Sequence, residues 1–104
     1  MYRADFISAI HAKRRIRLTF FSKQDGIILL RLCAPMDFGP SRRAKNKDDR
    51  YHLWDYESDA SNHVLSLLPE QIHKMEFLDE VFQPGEFITW SCNWIITRDW
   101  GVYS

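Results

Sequence analysis

Residues 51–56, which read Tyr-His-Leu-Trp-Asp-Tyr, are the stretch from which the fold of this chain can be inferred. Its aromatic content favours a β-strand, in which side chains alternate between two faces. The alternation gives two sets of residues, namely Tyr51, Leu53 and Asp55 on one face and His52, Trp54 and Tyr56 on the other. Because neither set is purely apolar, we expect the strand to lie between a hydrophobic core and a polar contact.

Length and composition indicate one folded domain. The chain has 104 residues, of which 45% are hydrophobic and 14% aromatic, and this composition argues against disorder. A chain of this length has room for one hydrophobic core. Because there is no signal-peptide pattern and no apolar run of the roughly 18 residues that a membrane span needs, we expect a cytoplasmic protein without a membrane partner.

The charges are divided unevenly along the chain. Residues 1–50 contain twelve Lys or Arg and five Asp, a net charge of +7, whereas residues 51–104 contain two basic and nine acidic residues, a net charge of −7. Such asymmetry can produce a basic face that attracts an anionic ligand or nucleic acid, or it can favour head-to-tail self-association. The alternative is that the two halves neutralise each other within the fold.

The chain begins with a predicted helix over residues 5–14. Phe6, Ile7 and Ile10 recur at helical spacing, and Asp5 precedes them as a candidate N-cap. The apolar face of this helix is narrow, so the helix must pack on another element.

A β-hairpin is predicted after the helix. Residues 16–21 alternate as in a half-buried strand, and residues 27–33 form an apolar run that only Arg31 interrupts. An Asp-Gly pair between the two runs supplies the positive φ of a hairpin turn. Pro35 is expected to end or bend the second strand.

The loop from Pro40 to Arg50 is basic. Its last ten positions hold five basic residues and two acidic ones, which is the composition of an exposed, mobile loop. Such a charge run is usually solvated surface, and phosphate contact is the alternative that carries a function.

The second half predicts further strands. Residues 63–68 are a strand candidate, residues 72–77 are ambiguous between strand and helix, and residues 88–97 alternate with period two, which predicts a strand with Trp90 and Trp94 on its buried face. One helix and five or six short strands indicate a mainly β fold, a small antiparallel barrel. The last residues contain large aromatic side chains that either dock on this barrel or form an association surface.

The sequence contains no motif of a known catalytic class. Phosphate-binding loops, dinucleotide fingerprints, nucleophile elbows and zinc-protease motifs are all absent. Cys33 and Cys92 lie in apolar runs, which favours reduced core thiols, and no histidine has metal-ligand spacing with them. We therefore predict a non-enzymatic protein without a metal or cofactor.

The predicted function is ligand binding. Arginines on strands can hold phosphates through charge-assisted hydrogen bonds, and neighbouring aromatic rings can stack on bases. The side chains expected to converge on one face are Arg17, Arg31, His52, Tyr56 and His63, with Arg42 and Arg43 closing over them from the basic loop. Tyr51 is a further candidate ligand contact. The alternative role for Tyr51 and Trp54 is packing in the core or at its edge. The alternative for His52 and His63 is a surface or cross-strand imidazole that contacts no ligand.

Several of these segments, taken in order, resemble the WYL domain family. The matching segments are Ala9-Ile10 with Arg14-Arg15 at the helix end, Arg31-Leu32-Cys33-Ala34-Pro35, Tyr51-His52-Leu53, and a strand around residues 65–67 that leads to Ile72 and Phe82. The match covers roughly residues 5–84, and Arg31 to Pro35 is its closest part. The chain departs from the family in placing His52 and His63 where the family has Tyr and Arg, and in its Trp-rich extension from residue 85.

The resemblance implies an SH3/Sm-like barrel that senses a ligand, as WYL domains attached to transcription regulators do. It predicts a single domain over residues 1–104, with a core over 5–84 and an extra Trp-rich strand and tail over 85–104. Our leading hypothesis is a stand-alone module that binds a nucleotide or single-stranded nucleic acid. The alternative is a module for protein association or homo-oligomerisation that uses Trp90, Trp94, Trp100 and Tyr103.

Overall fold

The structure, a computed structural model, describes residues 2–58 and 62–104. Helix α1 (Arg3–Ala12) is followed by five strands, which are β1 (Arg14–Ser22), β2 (Ile27–Pro40), β3 (Asp49–Asp55), β4 (Val64–Leu67) and β5 (Ile72–Val81). Four antiparallel ladders join the strands into one sheet in the order β4-β3-β2-β1-β5. The predicted mainly β fold, with five antiparallel strands and one N-terminal helix, is confirmed.

Helix α1 begins two residues earlier than the sequence predicts. Tyr2 occupies the cap position without a side-chain hydrogen bond, so the prediction of Asp5 as N-cap is wrong. Asp5 lies in the first turn, where a negative charge interacts favourably with the helix dipole. The helix ends at Ala12, and the capping residue Lys13 has the left-handed conformation. Within the helix, Phe6 packs edge-on against Tyr51 with ring centroids 4.9 Å apart.

The hairpin of β1 and β2 forms as predicted, and Gly26 has the expected positive φ of 71°. Pro35 bends β2 without ending it. The ladder with β3 shifts register between Pro35 and Asp37, and β2 then continues to Pro40. A bulge tolerates the proline because its missing N–H is not needed there.

Strand β3 shows the predicted alternation. Tyr51, Leu53 and Asp55 are buried, whereas His52 and Trp54 are partly exposed. The ambiguous segment after residue 71 is a strand, β5, and the short 3-10 helix Pro69–Gln71 separates it from β4.

The predicted strand over residues 88–97 is wrong. Within residues 83–104, which we call the C-terminal segment, the structure contains two short 3-10 helices, Pro84–Glu86 and Gly101–Tyr103, and no strand. The N–H groups of Ile95 and Ile96 both donate to the Asp37 carboxylate, each at 2.9 Å. Consecutive N–H groups of a strand point in opposite directions, so this shared acceptor is incompatible with a β-ladder.

No helix in residues 2–58 or 62–104 has the length and apolar character required to cross a membrane.

Candidate ligand-binding groove

A groove of about 600 Å³ lies beside the face of β3 that carries His52, and this volume is typical of small-molecule sites. Strands β3 and β4 form one side, the start of the basic loop forms the second, and the C-terminal segment forms the third. The lining residues are Met36, Asp37, Pro40, Ser41, Arg42, Arg43, His52, Asn62, Val64, Ser66, Trp90, Ser91, Asn93, Trp94 and Ile95.

The wall formed by the C-terminal segment is held in place by a buried ion pair. Asp37, 8% exposed, accepts the two N–H groups of Ile95 and Ile96 and pairs with Arg98 at 3.3 Å. The Arg98 side chain is fully buried and also donates to the carbonyl oxygen of Met36. The bulge in β2 thus places one carboxylate where it binds three groups of the segment.

Two tryptophans complete the surroundings of Arg98. Its guanidinium carbon lies 4.2 Å from the ring centroid of Trp94 and 4.4 Å from that of Trp100, distances at which a cation is attracted to the ring faces. Burial lowers the pKa of Arg98 to about 10, although the charge of Asp37 acts in the opposite direction. Arg98 therefore remains charged at neutral pH.

Gly39 permits the close approach of the C-terminal segment to β2. Its φ is +151°, and a Cβ atom at this position would lie 2.6 Å from Cδ1 of Ile95. A residue with a side chain would therefore be strained at this φ and would displace the Ile95 side chain.

An aromatic stack supports the groove from behind. The Trp54 ring is nearly parallel to those of His63, Phe87 and Trp90, with centroid distances of 4.9, 5.0 and 6.2 Å. Trp90 lines the groove and is 41% exposed. It therefore offers an aromatic surface whose orientation is fixed by the Trp54 ring on which it packs.

The uncompensated charge of the groove is positive. Arg42 and Arg43 are exposed on its rim, and Arg42 donates to the carbonyl oxygen of Asn93 at 2.8 Å. Lys47 steadies the same loop by donating to the carbonyl oxygens of Ser41 and Arg42. Among the described residues that line the groove, the single acidic one is Asp37, and Arg98 already pairs with it.

His52 lies in the groove, but its ring nitrogens bind within the protein. Nε2 is 2.9 Å from the carbonyl oxygen of Gly39, and Nδ1 is 2.8 Å from the hydroxyl of Ser66. A neutral imidazole satisfies both contacts by donating from Nε2 and accepting at Nδ1. His52 therefore links β2, β3 and β4. The sequence suggested that His52 contacts a ligand, but in the structure both of its ring nitrogens already have partners in the protein.

Arg17 and Arg31 do not meet. Directly paired residues of an antiparallel ladder share a face, and Arg31 pairs with buried Leu18 whereas Arg17 pairs with Leu32 and Glu76. The two arginines are thus on opposite faces of the sheet. Arg31 also forms an ion pair with Asp55 at 3.4 Å, so the predicted joint anchor of Arg17 and Arg31 is wrong.

The remaining predicted ligand contacts are also engaged in the fold. Tyr51 is 4% exposed and packs against Phe6 and Phe38, so its prediction as a ligand contact is wrong. His63 donates from Nδ1 to the carbonyl oxygen of Asp55 and stacks on Trp54 beside the groove.

The predicted association residues mainly hold the C-terminal segment to the core. Trp100 is 3% exposed, and its indole N–H donates to the carbonyl oxygen of Ile10 at 2.9 Å. The indole N–H of Trp94 donates to the carbonyl oxygen of Tyr103 at 2.7 Å. The tail therefore docks on the core. Among the three tryptophans of this set, Trp90 is the most exposed.

A second ionic contact fixes the start of the segment. Glu86 accepts from the hydroxyl of Tyr56 at 3.1 Å and pairs with Arg15 at 3.2 Å. Burial opposes ionisation of Glu86, but hydrogen bonds from the Gln83 N–H and Tyr56, together with the charge of Arg15, lower its pKa. Burial and the charge of Glu86 in turn raise the pKa of Tyr56.

The lowered pKa of Glu86 predicts a pH-dependent contribution to stability. This contribution is complete above the unfolded-state pKa of about 4.3 and is lost as the pH falls through the lower folded-state value. The difference in melting temperature between the wild type and Glu86→Gln should therefore shrink as the pH is lowered below about 4. A difference in melting temperature that does not shrink below about pH 4 would contradict the assignment.

The groove lacks the features of a metal centre, and the cysteines do not supply one. No group of His, Cys, Asp or Glu with metal-binding geometry occurs in residues 2–58 and 62–104. Cys33 and Cys92 are free, and burial raises the pKa of the Cys33 thiol.

Comparison of the chain with known protein families, curated proteins and solved structures finds no match.

Proposed function

We propose that the groove binds an anionic ligand with a flat ring, either a nucleotide or a short stretch of single-stranded nucleic acid. The observation that carries this proposal is that Arg42, Arg43 and Trp90 line one groove whose single described acid is already paired. Guanidinium groups bind phosphates in a bidentate manner, and an exposed indole provides a stacking surface for a base.

The polar lining suits the edge of a base. Asn62 and Asn93 carry side-chain amides, which both donate and accept hydrogen bonds, and Ser91 adds a hydroxyl. The side-chain oxygen of Asn62 accepts the N–H of Val64 at 3.0 Å, which leaves its amide nitrogen as the donor toward a ligand. These groups would select among flat rings after Trp90 and the arginines have provided affinity.

We further propose that the chain is a WYL-like ligand-sensing module. The Arg31-to-Pro35 motif and the succession of one helix and five antiparallel strands support this assignment. Arg31 would then act by holding Asp55 and β3 in place, while the arginines of the loop contact the ligand. Closure of the sheet into an SH3/Sm-like barrel and a single domain over residues 1–104 stay predictions.

Titration of a labelled mononucleotide and a labelled single-stranded oligonucleotide tests the proposal. Stacking contributes about 1–3 kcal/mol per base, so Trp90→Ala should weaken binding by roughly 5- to 150-fold. Arg43→Ala should weaken binding and reduce its salt dependence by about one phosphate contact.

The matched control is Lys45→Ala. Lys45 is an exposed cation of the same loop that does not line the groove, so its loss should change affinity little. The proposal fails if neither probe binds, or if Lys45→Ala weakens binding as much as Arg43→Ala does, because the attraction would then be a general effect of the basic loop.

A further inference from the structure

The hairpin of β1 and β2 presents an apolar surface to solvent. Phe21, Ile28 and Leu30 are 37%, 55% and 54% exposed. Phe21 pairs directly with Ile28, and Leu30 pairs with Thr19 two residues away, so the three side chains lie on one face of the sheet. We call this surface, formed by Phe21, Ile28 and Leu30, the hairpin face.

The hairpin face lies beside a part of the sheet that other residues cover. On the neighbouring part of the sheet, Ala34 is fully buried, and the partly buried ring of Trp54 stacks on Phe87 and Trp90 of the C-terminal segment. Contiguous exposed apolar side chains in a folded domain mark an interaction surface.

The charges beside the hairpin face indicate which partner fits it. Arg17 pairs with Glu76 across β1 and β5, and Thr19 pairs with Lys74, so both signs of charge lie on the same face at its margin. A two-fold interface uses one surface twice, and it therefore needs an apolar centre with acidic and basic groups that can meet their opposites in the second copy. The formal net charge of zero adds no overall repulsion between copies.

We propose that the hairpin face is the interface of a homodimer, in which Phe21, Ile28 and Leu30 pack on the same residues of a second copy and Arg17 pairs with its Glu76. None of these residues lines the groove. Dimerisation and ligand binding are therefore separate properties that can succeed or fail independently.

Sedimentation velocity of the full chain over a wide concentration range tests the dimer. Ile28→Glu and Leu30→Glu should each raise the dimer dissociation constant by about tenfold or more, because they place a charge at the apolar centre. Val102→Glu is the matched control, since Val102 is 91% exposed and lies outside the hairpin face, and it should leave the constant unchanged. Unchanged circular dichroism and melting temperature show that a variant is folded.

A charge exchange distinguishes this interface from non-specific apolar association. Arg17→Glu and Glu76→Arg should each weaken the homodimer, and an equimolar mixture of the two variants should restore association, because opposite charges then meet only between copies. The proposal is overturned if the chain is monomeric at every concentration, if Ile28→Glu leaves association intact, or if the mixture fails to restore the dimer. Capture of a different protein by a chain that remains monomeric would overturn it as well.

Discussion

Replacing Asp37 by alanine is expected to lower the free energy of unfolding by about 3–5 kcal/mol, because it leaves the buried guanidinium of Arg98 without its counter-ion. The same change removes the acceptor of the Ile95 and Ile96 N–H groups. Chemical denaturation of the purified variant, compared with the wild type, measures the loss.

Two further variants separate the charge from the general effect of a mutation. Asp37→Asn keeps the size of the side chain and one acceptor oxygen, so its loss should be smaller than that of Asp37→Ala. Asp99→Ala removes an exposed acid next to Arg98 in sequence and should change stability by no more than about 0.5 kcal/mol. If Asp37→Ala costs no more than Asp99→Ala, the ion pair does not hold the segment.

Replacing Trp100 by alanine is expected to destabilise the protein by a similar amount, about 3–5 kcal/mol. Trp100 is 3% exposed and contacts Phe82 edge-on at a centroid distance of 5.5 Å. Its removal would leave a cavity and would also remove the donor to the Ile10 carbonyl oxygen. Thermal and chemical unfolding both report this loss.

Trp90→Ala is the matched control, since it removes the same side chain from a position that is 41% exposed. It should cost much less stability than Trp100→Ala while impairing ligand binding. Equal destabilisation by the two variants would mean that the two indoles contribute equally to the core, contrary to their burial.

The sheet was predictable because its signals are local. Residues 51–56 alternate, residues 16–21 alternate, and Gly26 follows Asp25 at the hairpin turn. Each pattern depends on neighbours within a few positions, and tertiary contacts reinforce each of them. The extension of β2 past Pro35 was less predictable. A bulge allows the proline to lie within the strand, and the position of this bulge depends on the pairing of β2 with β3.

The prediction of a strand over residues 88–97 was wrong for a physical reason. Alternating apolar residues satisfy a strand pattern, but they also suit a chain that lies across a sheet and buries every second side chain. What decides between the two is the backbone partner, and here a side chain, Asp37, is the acceptor. Asp37 and Arg98 are 61 positions apart, and no local pattern links them.

The candidate site was predictable in its chemistry more than in its geometry. Arg42, Arg43, His52, Trp90 and Trp94 line the groove, although the sequence suggested association as the role of the two tryptophans. That any of these residues binds a ligand stays a prediction. The pairing of Arg31 with Asp55 was not predictable, because it follows from strand register. The burial of Tyr51 was open to prediction, since the alternation of residues 51–56 places Tyr51, Leu53 and Asp55 on one face.

The hydrogen bond from Trp100 to Ile10 joins residues 90 positions apart, and this separation has a consequence for biosynthesis. Contacts between distant residues are formed late, because the closure of a long loop carries an entropy cost. On the ribosome, the helix and all five strands emerge before residue 100 leaves the exit tunnel, so the nascent chain lacks the indole that covers Ile10 and Phe82. We therefore expect native packing to be completed only after residue 100 has emerged, and polypeptides terminated shortly before residue 98 to be degraded rapidly.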